Sequence, residues 1–195
     1  AGDRLLVKRD SISSPAEIHR VEDGSFVPHT DFTREALDGV ELARVENTTF
    51  EGADGASIQM FVLHPPGFDE TRQWPLVHLI HGGPHGVFGD QWHHRWNAQA
   101  VAAAGHVVAH VNFHGSTSWG QAFAESIQGA WGDRPARDVM AATDVLVARG
   151  YVDPARMAIT GGSYGGYMTA WLTTQTDRFA CAIAHAAVTN LGGMH

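Results

Sequence analysis

The chain has 195 residues, of which 44% are hydrophobic and 17% are charged, a composition typical of a folded globular domain. Thirteen basic and 21 acidic residues give a net charge of −8, which argues against a nucleic-acid partner. No run approaches the roughly 18 consecutive apolar residues of a membrane span, so a membrane is not an expected partner either. The single cysteine, Cys181, excludes an intrachain disulfide, and its apolar surroundings predict a buried thiol.

The first 44 residues predict two short strands and a connector. The strand patterns cover 4–10 and 16–22, and the turn-rich sequence from Ser11 to Pro15 joins them. Residues 23–44 are polar and mixed, with one short stretch of helical pattern at 34–37. Because two strands alone are marginally stable, this part is expected to belong to a larger β-structure.

From residue 45 onward the pattern changes to a hairpin followed by alternating strands and helices. Strand patterns at 45–50 and 56–63 flank the turn sequence Glu51 to Gly55. Further strand patterns cover 76–80, 106–113, 157–160 and 181–188, and helix patterns cover 95–104, 119–128, 137–149 and 167–174. This alternation predicts a mostly parallel sheet with helices on both faces, and residues 181–188 are expected to form its apolar edge.

The sequence Gly161-Gly162-Ser163-Tyr164-Gly165 is a G-x-S-x-G motif between a predicted strand and a predicted helix. In that context it is typical of the nucleophile elbow of an α/β-hydrolase, a sharp turn that presents the serine hydroxyl at the top of the sheet. The following helix N-terminus favours negative charge. A glycine-rich turn with an incidental serine is the alternative, which the flanking elements disfavour. Ser163 is therefore the predicted nucleophile.

A second motif, His81-Gly82-Gly83-Pro84, directly follows the buried strand pattern at 76–80. In this fold the loop after that strand supplies one backbone N–H of the oxyanion hole, and the residue after the nucleophile supplies the other. We therefore predict Gly83 and Tyr164 as the two donors. An ordinary turn is the alternative for the glycine loop.

The base that would activate Ser163 is not identifiable. In α/β-hydrolases an acid and then a histidine follow the serine. After Ser163 this chain has one carboxylate, Asp177, and two histidines, His185 and His195. Asp177 is expected roughly 20 Å from the elbow, beyond the following helix. No acid follows His185. Neither role is assigned, and we expect the chain to be a fragment whose base lies outside it.

Neither the histidines nor the tryptophans predict a ligand site. His106, His110 and His114 are spaced by four, which on a strand separates them by roughly 13 Å, too far for a shared ion. No metal and no cofactor is expected. The tryptophans that follow the glycine loop are favoured as core residues over a substrate platform; they are Trp92, Trp96, Trp119 and Trp131.

Four motifs occur in order at 81–86 (HGGPHG), 112–123 (NFHGSTSWGQAF), 131–132 (WG) and 161–168 (GGSYGGYM). This set resembles the prolyl oligopeptidase family of serine peptidases, most closely its acylaminoacyl-peptidase and dipeptidyl-peptidase-like branches. The resemblance is close from residue 45 to 190 and weaker over 1–44. Two positions depart from the family pattern: His114 stands where arginine is common, and Trp119 where tyrosine is common.

The resemblance implies an α/β-hydrolase peptidase domain at 45–195, incomplete at its C-terminus. Before it, residues 1–44 would be a connector and the remnant of a β-propeller blade. It further implies that Ser163 attacks a peptide carbonyl to form an acyl-enzyme, with Gly83 and Tyr164 holding the oxyanion. The family's propeller would restrict access to short peptides. Its triad acid and histidine come after the point where this chain stops, so the missing propeller and C-terminal segments are the implied partners.

Two other functions remain open from the sequence. An esterase or acyl hydrolase uses the same elbow, and the preference for peptide or ester is not readable from these residues. A non-catalytic, hydrolase-like binding module would explain the absence of a triad acid and histidine.

Overall fold

Three antiparallel strands form a small N-terminal sheet in the computed structural model, which describes residues 5–117 and 119–194, with the backbone alone for Met194. The strands are β1 (Leu5–Ser11), β2 (Ser14–Glu22) and β3 (Ser25–Pro28), paired in that order. The prediction of a connector from residue 23 was wrong, because Asp23 and Gly24 adopt φ values of 48° and 77° and turn the chain into β3. An Asp-Gly pair is typical of such tight hairpins. Helix α1 (Arg34–Leu37) follows, as predicted.

Six strands form the main sheet in the order β4-β5-β7-β6-β8-β9. Their bounds are β4 (Arg44–Glu51), β5 (Ser57–His64), β6 (Trp74–Ile80), β7 (Val107–Asn112), β8 (Val152–Gly162) and β9 (Cys181–His185). The first two form the predicted hairpin, and β5 pairs antiparallel with β7. From β7 through β6 and β8 to β9 every pairing is parallel. This arrangement confirms the predicted α/β architecture.

Helices cover both faces of this sheet: α2 (Ala98–Ala103) packs on one face, and α4 (Arg134–Ala148) and α5 (Tyr164–Gln175) pack on the other. Strand β6 shows how the sequence divides the core. Leu76 and Ile80 belong to the cluster with α4 and α5, whereas Val77 and Leu79 belong to the cluster with α2. Alternating side chains of one strand thus build both cores. Burying each such side chain contributes about 1.5–3 kcal/mol.

Two predicted helices begin later than their patterns suggest. Helix α2 begins at Ala98 because the side chain of Asn97 accepts the backbone N–H of Gln99 at 2.9 Å and caps the first turn. The short helix α3 (Gln121–Glu125) begins after Gly120, whose φ of 90° is not helical. The patterns therefore identified both helices and misplaced their starts.

Strand β9 lies at the edge of the main sheet, as predicted, and pairs with β8. All five of its residues are exposed, including Ile183 at 61%. The prediction of a buried thiol at Cys181 was wrong, because over the described residues no element covers this edge of the sheet.

Candidate functional site

Ser163 occupies the sharp turn between β8 and α5. It is exposed and has φ 58° and ψ −118°, in a region that residues with a Cβ rarely adopt. Such a conformation costs of the order of 1–3 kcal/mol and persists only where the surroundings impose it. A strained serine between a strand and a helix is the geometry expected of a nucleophile elbow.

Close packing explains the glycines around the serine. A Cβ on Gly161 would lie 2.5 Å from the carbonyl oxygen of Ile80, and one on Gly165 would strike the same carbonyl. A Cβ on Gly166 would lie 2.6 Å from the carbonyl oxygen of His185. The turn is thus pressed onto the ends of β6 and β9, where no side chain fits.

The predicted oxyanion loop lies beside the elbow. A Cβ built on Gly82 would lie 3.1 Å from the carbonyl oxygen of Gly162 and 3.5 Å from Ser163 Cβ. The next residue, Gly83, has a φ of 127°, which favours glycine, and a Cβ there would lie 2.5 Å from the backbone nitrogen of His85. The G-x-S-x-G motif and the glycine loop therefore meet at one end of the sheet.

Tyr164 follows the serine, and its side chain anchors the first turn of α5. Its side chain is buried, and its hydroxyl donates to the carbonyl oxygen of Trp131 at 2.6 Å. Burial raises the pKa of this phenol well above its usual value, so the ring serves as an uncharged anchor. The backbone N–H of Tyr164 begins α5, where the first N–H groups have no acceptor within the helix.

A cleft of about 360 Å³ opens at the elbow. Its lining includes His81, Gly82, Arg95, Trp96, Ser163 and His185. A larger, mostly apolar cleft of about 1100 Å³ lies between α4 and α5, but Ser163 does not line it. We place the candidate site in the smaller cleft because the strained serine and the glycine loop converge there.

The structure leaves the triad base unassigned. Asp177 follows the end of α5, a 12-residue helix that spans roughly 18 Å. The backbone N–H of Ser163 donates to the carbonyl oxygen of His185 at 3.0 Å. Within residues 5–117 and 119–194, no imidazole nitrogen lies within hydrogen-bond distance of Ser163 Oγ, and His195 lies outside the described residues.

Two cleft residues have no site role assigned from the sequence: His185, which was considered as the triad histidine and left unassigned, and Trp96. His185 reaches the site because β9 pairs in parallel with β8 and places it opposite Gly162. The carboxyl ends of adjacent parallel strands always meet, so this pairing was a usable signal. Trp96 was predicted as core but is half-buried, with its ring against Gly162 and edge-on to His185 at 5.7 Å between centroids. By contrast, Trp131 packs against Tyr164, as expected of a core residue.

The described part of the chain shows neither a metal cluster nor a membrane-spanning helix. There, no group of three or more histidine, cysteine, aspartate or glutamate side chains has the geometry to hold an ion. Across the same residues, no helix combines the length and apolar character that crossing a bilayer requires.

Comparison with known sequences identifies similar proteins. A model of the prolyl oligopeptidase family matches residues 92–195. Dipeptidyl-peptidase 5 of Porphyromonas gingivalis is 34% identical over 192 residues, which are 97% of this chain and 28% of that protein. Dipeptidyl-peptidase 5 of Schizosaccharomyces pombe is 34% identical over 155 residues, 78% of this chain and 23% of that protein. The chain spans less than a third of the length of these relatives.

Solved structures with a similar fold include two peptidases. The acylaminoacyl peptidase of Pyrococcus horikoshii has a TM-score of 0.84 and 27% identity, covering 96% of this chain and 30% of that one. A puromycin-hydrolysing peptidase of Mycobacterium tuberculosis has a TM-score of 0.74 and 30% identity, covering 91% of this chain and 28% of that one.

Proposed function

This chain belongs to the prolyl oligopeptidase family, and from that premise we propose that it carries the nucleophile of a serine peptidase that cleaves short peptides. The strained conformation of Ser163 carries the proposal, because it presents an exposed hydroxyl beside the glycine loop. Ser163 Oγ would attack the peptide carbonyl, release the amine and form an acyl-enzyme that water then hydrolyses.

We propose the backbone N–H groups of Gly83 and Tyr164 as the oxyanion donors. Two features support them: the loop of Gly83 adjoins the elbow, and Tyr164 provides an N–H of the first turn of α5. Donors of this kind stabilise the charge that develops on the carbonyl oxygen, and losing one costs about 10²–10³ in kcat.

The acid and the histidine of the triad are proposed to come from outside the chain described here. The relatives are more than three times its length, and the 12-residue helix α5 separates Asp177 from the elbow. The three-stranded sheet of β1, β2 and β3 supports the further proposal that residues 1–44 end a β-propeller, which would admit short peptides, and that residues 45–195 belong to the peptidase domain.

The test is active-site labelling of the full-length gene product with a fluorophosphonate. We expect the wild type to be labelled and Ser163→Ala to be unlabelled, because the probe bonds to the activated serine oxygen. Ser13→Ala, which removes an exposed turn serine, is the matched control and should label like the wild type. Equal labelling of wild type and Ser163→Ala would contradict the proposal.

Turnover of short peptide amides and p-nitrophenyl esters separates a peptidase from an esterase. Amides are harder to cleave because the departing amine must be protonated. We expect turnover of both substrates, each lost in Ser163→Ala. Turnover of esters alone would overturn the peptidase assignment and leave the nucleophile in place.

A further inference from the structure

The side chain of His81 is buried and held at both ring nitrogens. Nδ1 lies 2.8 Å from the carbonyl oxygen of Gly82, and Nε2 lies 2.8 Å from Ser116 Oγ. The ring also stacks on Phe113, with 4.1 Å between ring centroids. Rotation of the imidazole would break all three contacts, so its orientation is fixed.

The two hydrogen bonds determine the tautomer of His81. A carbonyl oxygen only accepts, so Nδ1 carries the hydrogen and donates it to Gly82. Burial lowers the pKa of His81 to about 4, so the ring is neutral at pH 7 and Nε2 holds a lone pair. The hydroxyl of Ser116, which is fully buried, therefore donates to Nε2.

The carbonyl that His81 holds shares a peptide unit with the N–H of Gly83. That unit is planar and trans, so the N–H points opposite to the carbonyl oxygen, and fixing one fixes the other. We propose that Ser116 and His81 are positioning residues for the oxyanion hole: Ser116 holds the imidazole, and the imidazole holds the Gly82 carbonyl and thereby aims the Gly83 N–H. This inference rests on the proposed function, in which that N–H binds the oxyanion.

Gly86 provides the space for this arrangement. A Cβ at Gly86 would lie 2.5 Å from the carbonyl oxygen of Gly82 and 3.1 Å from His81 Nδ1, so any side chain would displace the hydrogen bond. The carbonyl oxygen of Gly86 accepts the backbone N–H of Thr117 at 2.9 Å. His85 Nδ1 also lies 3.0 Å from the carbonyl oxygen of Gly115, so the loop that carries Ser116 and the glycine loop are joined at three points, which stiffens both.

A serine and a histidine 2.8 Å apart also have the geometry of a nucleophile and its base. Burial argues against that role for this pair. Ser116 has no exposed surface and does not line the cleft at Ser163, so no substrate carbonyl reaches its hydroxyl. A positioning role requires no access to substrate.

The test measures kcat and KM of the full-length gene product for the peptide amide. His81→Leu removes the donor to Gly82, and we expect kcat to fall about 10²–10³-fold, as for a lost oxyanion donor, with KM changed less than about threefold. His81→Asn keeps an N–H near the Nδ1 position, so its kcat should be at least about tenfold higher than that of His81→Leu. Ser116→Ala removes the hydrogen bond to Nε2, leaves the imidazole unanchored and should lower kcat by about tenfold.

Inhibitor affinities distinguish positioning from a general structural role. A peptide aldehyde forms a tetrahedral adduct on the serine and uses the oxyanion hole, whereas the matching peptide alcohol does not. We expect His81→Leu and Ser116→Ala to weaken binding of the aldehyde and to leave the affinity for the alcohol unchanged. The matched control is His106→Leu, since Nδ1 of His106 also donates to a backbone carbonyl, that of Val101 at 3.2 Å, outside the cleft.

Three results are decisive. An unchanged kcat in a folded His81→Leu or Ser116→Ala enzyme would overturn the inference, as would equal weakening of aldehyde and alcohol. If His81→Leu does not fold, the smaller change Ser116→Ala decides alone. A wild type that neither labels nor turns over would instead refute the proposed function, so the two failures are distinguishable.

Discussion

At the scale of single residues, Gly161 offers a direct test of the elbow. A Cβ at this position would lie 2.5 Å from the carbonyl oxygen of Ile80, a backbone atom that cannot move aside. We expect Gly161→Ala to lower the free energy of unfolding by about 1–3 kcal/mol, as overpacking does, and to slow fluorophosphonate labelling of Ser163. Urea unfolding and labelling rates measure the two effects.

The control for this change is Gly89→Ala. The nearest atom to a Cβ at Gly89 is Gln91 Oε1 at 3.6 Å, an ordinary contact with a flexible side chain. We expect this variant to unfold and label like the wild type. Equal effects of the two alanine substitutions would show that the close approach at Gly161 does not shape the elbow.

Single residues also show what the sequence could predict. Ser163 and the glycine loop were identified because local motifs encode them, and the structure places the two motifs side by side. Ser116 and Trp96 were not identified as site residues, because their roles depend on contacts with residues far along the chain. The burial of Cys181 was mispredicted, since an apolar strand pattern does not reveal whether the strand lies at a sheet edge.

At the scale of elements, Asp138 ties two loops of the main sheet to helix α4, the loop between β4 and β5 and the loop after β7. Its side chain is fully buried, and Oδ1 accepts the backbone N–H of Ala53 at 2.8 Å. Oδ2 accepts the backbone N–H of His114, and it also lies 2.7 Å from Nδ1 of the His114 ring. Burial raises the pKa of Asp138, and the N–H groups of His114 and Ala53 oppose that rise. His114, one of the two departures from the family pattern, is thus held by a buried carboxyl group.

We expect Asp138→Asn to destabilise the protein by about 3 kcal/mol. Both carboxyl oxygens accept a backbone N–H, and the amide nitrogen that replaces one of them is a donor, so one buried N–H loses its acceptor. Asp144→Asn on the same helix is the matched control. Asp144 is exposed and pairs with Arg178, so its loss should cost less than about 1 kcal/mol. Urea midpoints of both variants measure the difference, and similar midpoints would contradict the assigned role of Asp138.

The elements themselves were predictable where hydrophobic periodicity is strong. Strand β6 was found from its continuous apolar run, and helix α4 from apolar residues that repeat at helical spacing. Strand β3 was missed because it has four residues and its pattern is too short to register. The starts of α2 and α3 depend on a capping side chain and a left-handed glycine, which periodicity does not report.

At the scale of the whole molecule, the two cores enclose several histidines that burial keeps neutral. Burial lowers the pKa of His64 and His81 to about 4, and that of His78 and His110 to about 3. In the unfolded chain each would titrate near 6.5. As pH falls below that value, the unfolded state binds more protons than the folded state. The free energy of unfolding should therefore be lower at pH 5 than at neutral pH.

His110 makes this effect measurable, because its ring stacks on Phe88 at 3.8 Å between centroids and neither ring nitrogen has a partner among the described residues. Between pH 7 and pH 5 its lowered pKa should remove about 2 kcal/mol of stability. His110→Phe keeps the stacked ring and removes the titration, so its unfolding free energy should fall about 2 kcal/mol less than that of the wild type over this interval. His94→Phe, at an exposed position, is the control. Parallel pH profiles for wild type and His110→Phe in urea unfolding would show that His110 does not contribute to acid sensitivity.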